Sequence, residues 1–109
     1  MKTISLTNHA IQRTSQRGIS FEQIELCVSF GERLNRTGVE FYILTKKCLQ
    51  RLKKVTGVYM ERLQGLTVMT EMDSDGAIEV ITAYKNNDSI RIIKKKRKRR
   101  SKSEKIVRQ

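Results

Sequence analysis

A glycine followed by a helix-capping serine most constrains how this chain can fold. Gly18 comes directly after about ten residues with helical spacing, where it suits the left-handed position that ends a helix. Thr7 or Asn8 can cap the start of that helix. Ser20 and Gln23 have the spacing of a capping box, which begins a second helix. The sequence therefore predicts two short helices joined by a tight turn.

Each of these two helices has one apolar face. The first runs to about Arg17 and the second ends at Gly31. Residues that recur at intervals of three and four lie on one side of a helix. The side chains expected to face the core are Ala10, Ile11 and Thr14 in the first helix, and Phe21, Ile24, Cys27 and Val28 in the second.

The spacing then changes from helical to extended. Residues 39–44 are β-branched and aromatic and predict a strand, with Glu32–Arg36 as its hairpin partner across Thr37 and Gly38. Thr45 can cap a third helix, which is amphipathic and basic. Its expected inward side chains are Cys48, Leu49, Leu52 and Val55, and its outward cations are Lys46, Lys47, Arg51, Lys53 and Lys54.

The clearest hairpin comes last. Leu66–Met72 and residues 77–84 are apolar stretches separated by residues 73–76, which tolerate a positive φ. Residues 58–60 are read as a short strand or turn. The predicted fold class is α+β, with two N-terminal helices, a third helix and a small antiparallel sheet that has the helices on one face.

The positive charge is concentrated at the end of the chain. The net charge is +12, but residues 1–90 hold 12 Lys and Arg against 10 Asp and Glu, and residues 91–109 hold 11 against one. This predicts a folded domain over residues 1–90 and a disordered basic tail over 91–109. The tail predicts nucleic-acid contact, with a nuclear localisation signal and a solubilising tail as alternatives. Its continuous cations are Lys94, Lys95, Lys96, Arg97, Lys98, Arg99 and Arg100.

Several classes of protein do not match the sequence. Cys27 and Cys48 fall on apolar helical faces, which predicts two reduced, buried thiols. One histidine and two separated cysteines do not form a metal site, and no motif points to a cofactor. The start of the chain lacks the apolar segment of a signal peptide, and no run could span a membrane. We expect a cytoplasmic protein, or a nuclear one in a eukaryotic or host-targeted setting.

The first helix carries the residues best suited to chemistry. His9, Arg13 and Arg17 are four residues apart and share one helical stripe. A histidine titrates near neutrality and arginines bind phosphate, so this stripe suits metal-independent RNA cleavage. The structural alternatives are a backbone hydrogen bond for His9 and surface pairing of the arginines with Glu22 or Glu25.

The last strand offers two further candidates. Tyr84 lies near its end and could add a phenol to the site, and Thr82 lies two residues earlier on the same face of the strand. The alternative for Tyr84 is a half-buried aromatic that only packs against the sheet. These two residues complete the predicted catalytic set.

Two motifs resemble a bacterial and phage domain of unknown function. His9-Ala10-x-x-Arg13-x-x-x-Arg17-Gly18-Ile19-Ser20 is similar to its opening. Asp75-Gly76-Ala77-Ile78-Glu79-Val80-Ile81-Thr82-Ala83-Tyr84 is similar to its closing hairpin, which has the form D-G-x-x-V-I-T-x-Y. The resemblance covers residues 5–86 and leaves the basic tail outside. That family looks like a relative of RelE/BrnT-type toxins and the wider barnase–colicin–RelE group of metal-independent RNases. The resemblance implies a RelE/BrnT-like fold and an acidic antitoxin as partner.

Three functions follow as hypotheses. The first is an RNA-binding, toxin-like endoribonuclease with its cleft between the first helix and the last hairpin. The second is a non-catalytic nucleic-acid-binding accessory protein, in which Lys46, Lys47, Arg51 and the basic tail contact phosphate. The third is a protein-interaction module whose basic surface meets an acidic partner.

Overall fold

Three helices pack against a five-stranded sheet in the computed structural model, which describes residues 3–72 and 75–86. The predicted α+β class is confirmed. The tail over residues 91–109 and the boundary at residue 90 lie outside the described residues. In chain order the elements are β1 (Ile4–Leu6), α1 (Asn8–Arg17), α2 (Phe21–Phe30), β2 (Glu32–Arg36), β3 (Val39–Ile43), α3 (Lys46–Thr56), a 3₁₀ turn (Glu61–Leu63), β4 (Leu66–Met72) and β5 (Ile78–Lys85).

The sheet is mixed rather than wholly antiparallel. Its strand order is β1-β5-β4-β3-β2, and all neighbours are antiparallel except β1 and β5. The prediction lacked β1, whose three residues pair in parallel with Ile78, Glu79 and Val80. Three residues are too few to show a period of two, and the partner strand lies at the far end of the domain.

The helix caps form as the sequence predicts. Thr7 Oγ1 accepts a hydrogen bond from the Ala10 amide at 3.0 Å, and Gly18 ends α1 with a φ of 68°. Ser20 and Gln23 form the reciprocal bonds of a capping box at 3.2 and 3.1 Å. Thr45 Oγ1 accepts the Cys48 amide at the start of α3. Local capping therefore fixes where each helix begins.

The core lies between the three helices and one face of the sheet. Three side chains predicted to face inward are instead exposed, namely Ile11, Phe21 and Val55. Ile11 and Phe21 lie in the first turns of α1 and α2, and Val55 lies in the last turn of α3, so all three are near helix ends. The buried cluster contains Ala10, Ile19, Ile24, Cys27, Tyr42, Leu44, Cys48, Leu49, Leu52, Leu63, Leu66, Val68, Val80 and Ala83.

Gly31 is the point where α2 comes closest to the sheet. Its amide donates to the Cys27 carbonyl at 2.8 Å and ends the helix. A Cβ at this position would collide with the Cys27 carbonyl oxygen and lie 3.0 Å from the backbone of Ile43. A φ of −75° suits any residue, so backbone conformation does not require glycine here. The crowded backbone around the Cβ position does.

The segment between α3 and β4 differs from the prediction. Residues 58–60 form no strand, and a 3₁₀ turn over Glu61–Leu63 follows them. Leu63 is buried in the core, and Tyr59 and Met60 pack against it. Residues 58–60 are therefore apolar because some of their side chains pack against the core from non-regular backbone. Their apolar character does not indicate a strand.

A bulge near the middle of β5 sets the direction of its last side chains. Val80 pairs with Thr70 and Thr82 pairs with Met69, so Ile81 is an extra residue on β5. Val80 and Ala83 consequently both contribute to the core. Because side chains alternate along a strand, Thr82 and Tyr84 project from the opposite face of the sheet to Ala83.

Candidate nucleic-acid interface

The first candidate surface is the α1 stripe, defined as His9, Arg13 and Arg17. All three side chains are exposed. Neighbours four residues apart are separated by about 6 Å along the axis, and His9 and Arg17 by about 12 Å. Within residues 3–72 and 75–86, His9 has no hydrogen bond and neither arginine pairs with Glu22 or Glu25. The structural alternatives for these residues therefore do not occur in this part of the chain.

Arg17 is held in place by the last strand. Its Nη1 donates a hydrogen bond to the Ala83 carbonyl oxygen at 2.8 Å. β1 pairs with β5 only as far as Val80, and the Thr7 amide continues that edge by donating to the Val80 carbonyl at 3.1 Å. α1 then packs along the remainder of β5. The fold thus places Arg17, the last residue of the α1 stripe, beside the end of the last strand.

A small open pocket lies where α1 meets the end of β5. It is lined by Arg17, Ile19, Tyr84 and Lys85, and we call it the β5 pocket. Tyr84 is half-buried, as its sheet-packing alternative predicted, yet its side chain lines a pocket with two cations. The structure therefore brings Arg17 and Tyr84 together. His9 lies about 12 Å farther along the helix axis from Arg17.

Thr82 and Lys85 extend this arrangement in different ways. Thr82 shares the sheet face of Tyr84 and is half-buried, but it does not line the β5 pocket. Lys85 lines the pocket and was missed as a site residue. The sequence signal that could have indicated Lys85 was its position directly after Tyr84, at the end of a predicted strand.

The second candidate surface is the α3 groove, an open depression lined by Lys47, Gln50, Arg51, Lys53, Lys54 and Tyr59. Lys47, Gln50, Arg51 and Lys54 follow the i, i+3, i+4, i+7 pattern of one helical face. Among the described residues, the lining of the groove contains four cations and no acidic side chain. Of the three α3 cations predicted to contact nucleic acid, Lys47 and Arg51 line the groove and Lys46 does not.

Arg51 is fixed at the base of α3 by a cysteine. Its Nη2 donates to Cys48 Sγ at 3.4 Å, and Thr45 Oγ1 donates to the same sulfur at 3.1 Å. Burial opposes ionisation of Cys48, but these two donors outweigh it and lower the pKa of the thiol. The sulfur therefore serves as a hydrogen-bond acceptor that orients Arg51.

Cys27 behaves in the opposite way. It donates to the carbonyls of Tyr42 at 3.1 Å and Leu66 at 3.4 Å inside the core. Burial, and then the neighbouring Cys48, raise the pKa of the Cys27 thiol far above its usual range. Both cysteines are free and buried, as predicted.

Neither a metal site nor a membrane-spanning helix is found among the described residues. No group of three His, Cys, Asp or Glu side chains in that part of the chain is placed to hold a metal ion. None of the described helices has the length and apolarity needed to cross a membrane. The cations at positions 94–100 lie outside the described residues.

Comparison with known families covers most of the chain. A family model for a domain of unknown function, DUF4258, matches residues 6–100. The chain belongs to this family. The match continues past residue 86 and includes the cations at 94–100, which the sequence resemblance had left outside. No curated protein matches the chain, and no solved structure does.

Proposed function

We propose that this protein binds RNA and cleaves it without a metal ion at the α1 stripe. The observation that carries the proposal is the exposed series His9, Arg13 and Arg17, which ends beside Tyr84 and Lys85 in the β5 pocket. This surface combines an imidazole, which can transfer protons, with cations that bind phosphate. Those are the groups that RNA cleavage by its own 2′-hydroxyl requires.

The spacing of His9 and Arg13 supports a separate role for each side chain at one phosphate. His9 and Arg13 are about 6 Å apart along the axis and can share one phosphate. Neutral His9 takes the proton of the 2′-hydroxyl, and the 2′-oxygen attacks phosphorus while Arg13 holds the developing negative charge. The bond from phosphorus to the 5′-oxygen breaks, and that oxygen takes a proton from solvent. The products are a 2′,3′-cyclic phosphate and a 5′-hydroxyl.

Arg17 and the β5 pocket would hold the neighbouring phosphate. The hydrogen bond to the Ala83 carbonyl fixes one edge of the Arg17 guanidinium and leaves its other donors available. Lys85 adds a second cation and Tyr84 a phenol, and Thr82 offers a hydroxyl on the same sheet face. Binding two successive phosphates would position the 2′-hydroxyl against His9.

An acidic partner protein is part of this proposal. The RelE/BrnT-like resemblance implies a toxin with an antitoxin, and the exposed cations of the α1 stripe suit an acidic segment. Such a segment would block RNA binding by occupying the phosphate sites. The toxin class, like the cytoplasmic location, rests on the sequence and is proposed on that basis.

A second function is favoured by the α3 groove. The four cations among its described lining residues would bind nucleic acid even if no bond were cleaved. In that case the protein would be a non-catalytic RNA-binding accessory protein. A basic module for an acidic protein partner would use the same cations but would show no preference for RNA.

Cleavage of end-labelled RNA in excess EDTA separates these functions. We expect cleavage with a 2′,3′-cyclic phosphate end by the native protein, and loss of cleavage in His9→Ala and Arg13→Ala. Tyr84→Phe tests whether the phenol in the β5 pocket helps to hold the neighbouring phosphate. Salt-sensitive RNA binding with no cleavage would overturn the nuclease proposal and favour the accessory protein, and the absence of RNA binding would favour the protein-interaction module.

A further inference from the structure

The α3 groove has an aromatic wall in addition to its cations. Gly57 ends α3 in the left-handed conformation with a φ of 81°, and the chain then turns to place Tyr59 beside the last turns of the helix. Tyr59 is half-buried and packs against the core, so its ring is supported from below. Its remaining surface faces a groove lined by Lys47, Arg51 and Lys54.

The cations of the groove run in a line that could follow a phosphate backbone. Lys47 and Lys54 are about 10 Å apart along the helix axis, with Arg51 between them. Within the described part of the chain, Arg51 alone of these three is held by a neighbour, through its bond to Cys48 Sγ at 3.4 Å. Arg51 is therefore a fixed contact point, and the lysines on either side can adjust to the ligand.

We propose that the α3 groove binds a single strand of RNA, with phosphates along Lys47, Arg51 and Lys54 and one base stacked on Tyr59. Stacking on an aromatic ring requires a base that is not already stacked and paired, so a duplex cannot make this contact. The proposal names the ligand of the α3 surface and rests on the RNA-binding part of the proposed function. It does not depend on cleavage.

Binding of a fluorescent 2′-O-methyl RNA of about 12 nucleotides tests the groove without interference from cleavage, because its 2′-oxygen cannot attack. We expect this strand to bind the native protein about tenfold more tightly than a duplex of the same sequence. Equal affinity for strand and duplex would overturn the proposal.

Matched variants separate the groove from general electrostatic attraction. Arg51→Gln and Lys54→Gln are expected to weaken binding and to reduce the slope of log affinity against log salt by about 0.7 each. Lys46→Gln removes the same charge from the same helix, outside the groove, and is expected to leave that slope nearly unchanged. Equal effects of Lys46→Gln and Lys54→Gln would overturn the proposal.

Tyr59 is tested with a pair of substitutions. Tyr59→Phe retains the ring and should bind as the native protein does, whereas Tyr59→Leu keeps apolar bulk against the core and should weaken single-strand binding about tenfold. Thermal melting identifies any variant that does not fold. Full binding by a folded Tyr59→Leu would overturn the stacking contact. If the native protein binds single-stranded RNA as predicted but does not cleave RNA in EDTA, only the nuclease proposal is refuted.

Discussion

The α1 stripe and the α3 groove each contain one arginine that the fold holds and other cations that it leaves exposed. Arg17 donates to the Ala83 carbonyl of β5, and Arg51 donates to the sulfur of Cys48 on its own helix. The first anchor joins residues 66 positions apart, and the second joins residues three positions apart. The position of Arg17 therefore depends on the tertiary fold, whereas that of Arg51 depends on a contact within its own helix.

This difference bears on what each surface can do. Catalysis needs groups held in a fixed relation, and α1 and β5 together supply a histidine, cations and a phenol. Binding along a backbone tolerates more variation, and a line of cations with an aromatic wall is sufficient. We accordingly propose cleavage at the α1 stripe and strand binding in the α3 groove.

The largest expected effect is on the cleavage rate, and it comes from substituting His9 on the α1 stripe. His9→Ala should lower the cleavage rate by about 10²–10⁴ because it removes the proton acceptor, while RNA affinity changes little. Single-turnover cleavage of labelled RNA in EDTA measures the rate. Gln12→Ala, a change on the exposed side of the same helix, is the control, and an equal loss in that variant would contradict the role of His9.

The next prediction concerns the support that both surfaces share. Gly31→Ala forces a methyl group onto the Cys27 carbonyl and the Ile43 backbone, and should lower the free energy of unfolding by about 2–3 kcal/mol. Urea denaturation measures the change, with the exposed Ser29→Ala as control. Cleavage and RNA binding should fall together, in proportion to the fraction of the protein that is folded. Selective loss of one function would show that the two surfaces respond separately to α2.

Arg17 and Arg13 differ in structural role although both lie on the α1 stripe. Arg17→Gln should lower the free energy of unfolding by about 1 kcal/mol, because the charged donor to the Ala83 carbonyl is lost. Arg13→Gln should leave stability unchanged, since Arg13 has no hydrogen bond or ion pair among the described residues. Denaturation curves of the two variants provide the comparison, and equal stability would show that the bond to Ala83 contributes little.

The smallest effect distinguishes the two buried thiols by pH. The folded state keeps Cys27 protonated, whereas the unfolded chain ionises it near its ordinary pKa of 9.0, so stability falls as the pH rises above about 8. The loss is about 0.4 kcal/mol at pH 9, and Cys27→Ala should remove it. Urea denaturation between pH 7 and pH 10 measures this slope.

Cys48 has the opposite sign and serves as the comparison. Because its folded pKa is lowered, ionisation stabilises the folded state as the pH rises toward the pKa of the unfolded chain, and the gain is complete above it. Cys48→Ala should therefore make the alkaline loss of stability steeper. The same direction of change in both variants would contradict the assignment of the two thiols.

Local signals predicted much of the fold. The caps at Thr7, Ser20 and Thr45 depend on residues three positions away, so their spacing is visible in the sequence. β1 was missed because its pairing with Ile78–Val80 depends on contacts across almost the whole domain. The exposure of Val55 was missed because a helical period gives the direction of a stripe but not its width.

The candidate site shows the same division. The spacing of His9, Arg13 and Arg17 and the cations of α3 were visible in the sequence. The bond from Arg17 to Ala83 and the place of Tyr59 in the α3 groove required the fold, because each joins segments that no short pattern connects. Tyr59 lay in a stretch with no clear period, so its part in a site had no signal in the sequence.

The most direct test of this division of labour is the concentration dependence of cleavage in EDTA for His9→Ala and Lys54→Gln beside the native protein. The account predicts that His9→Ala loses the rate at saturating RNA with its KM nearly unchanged. Lys54→Gln should keep that rate and require more RNA to reach it. Loss of the saturating rate in Lys54→Gln, or its retention in His9→Ala, would contradict the assignment of chemistry to α1 and binding to α3.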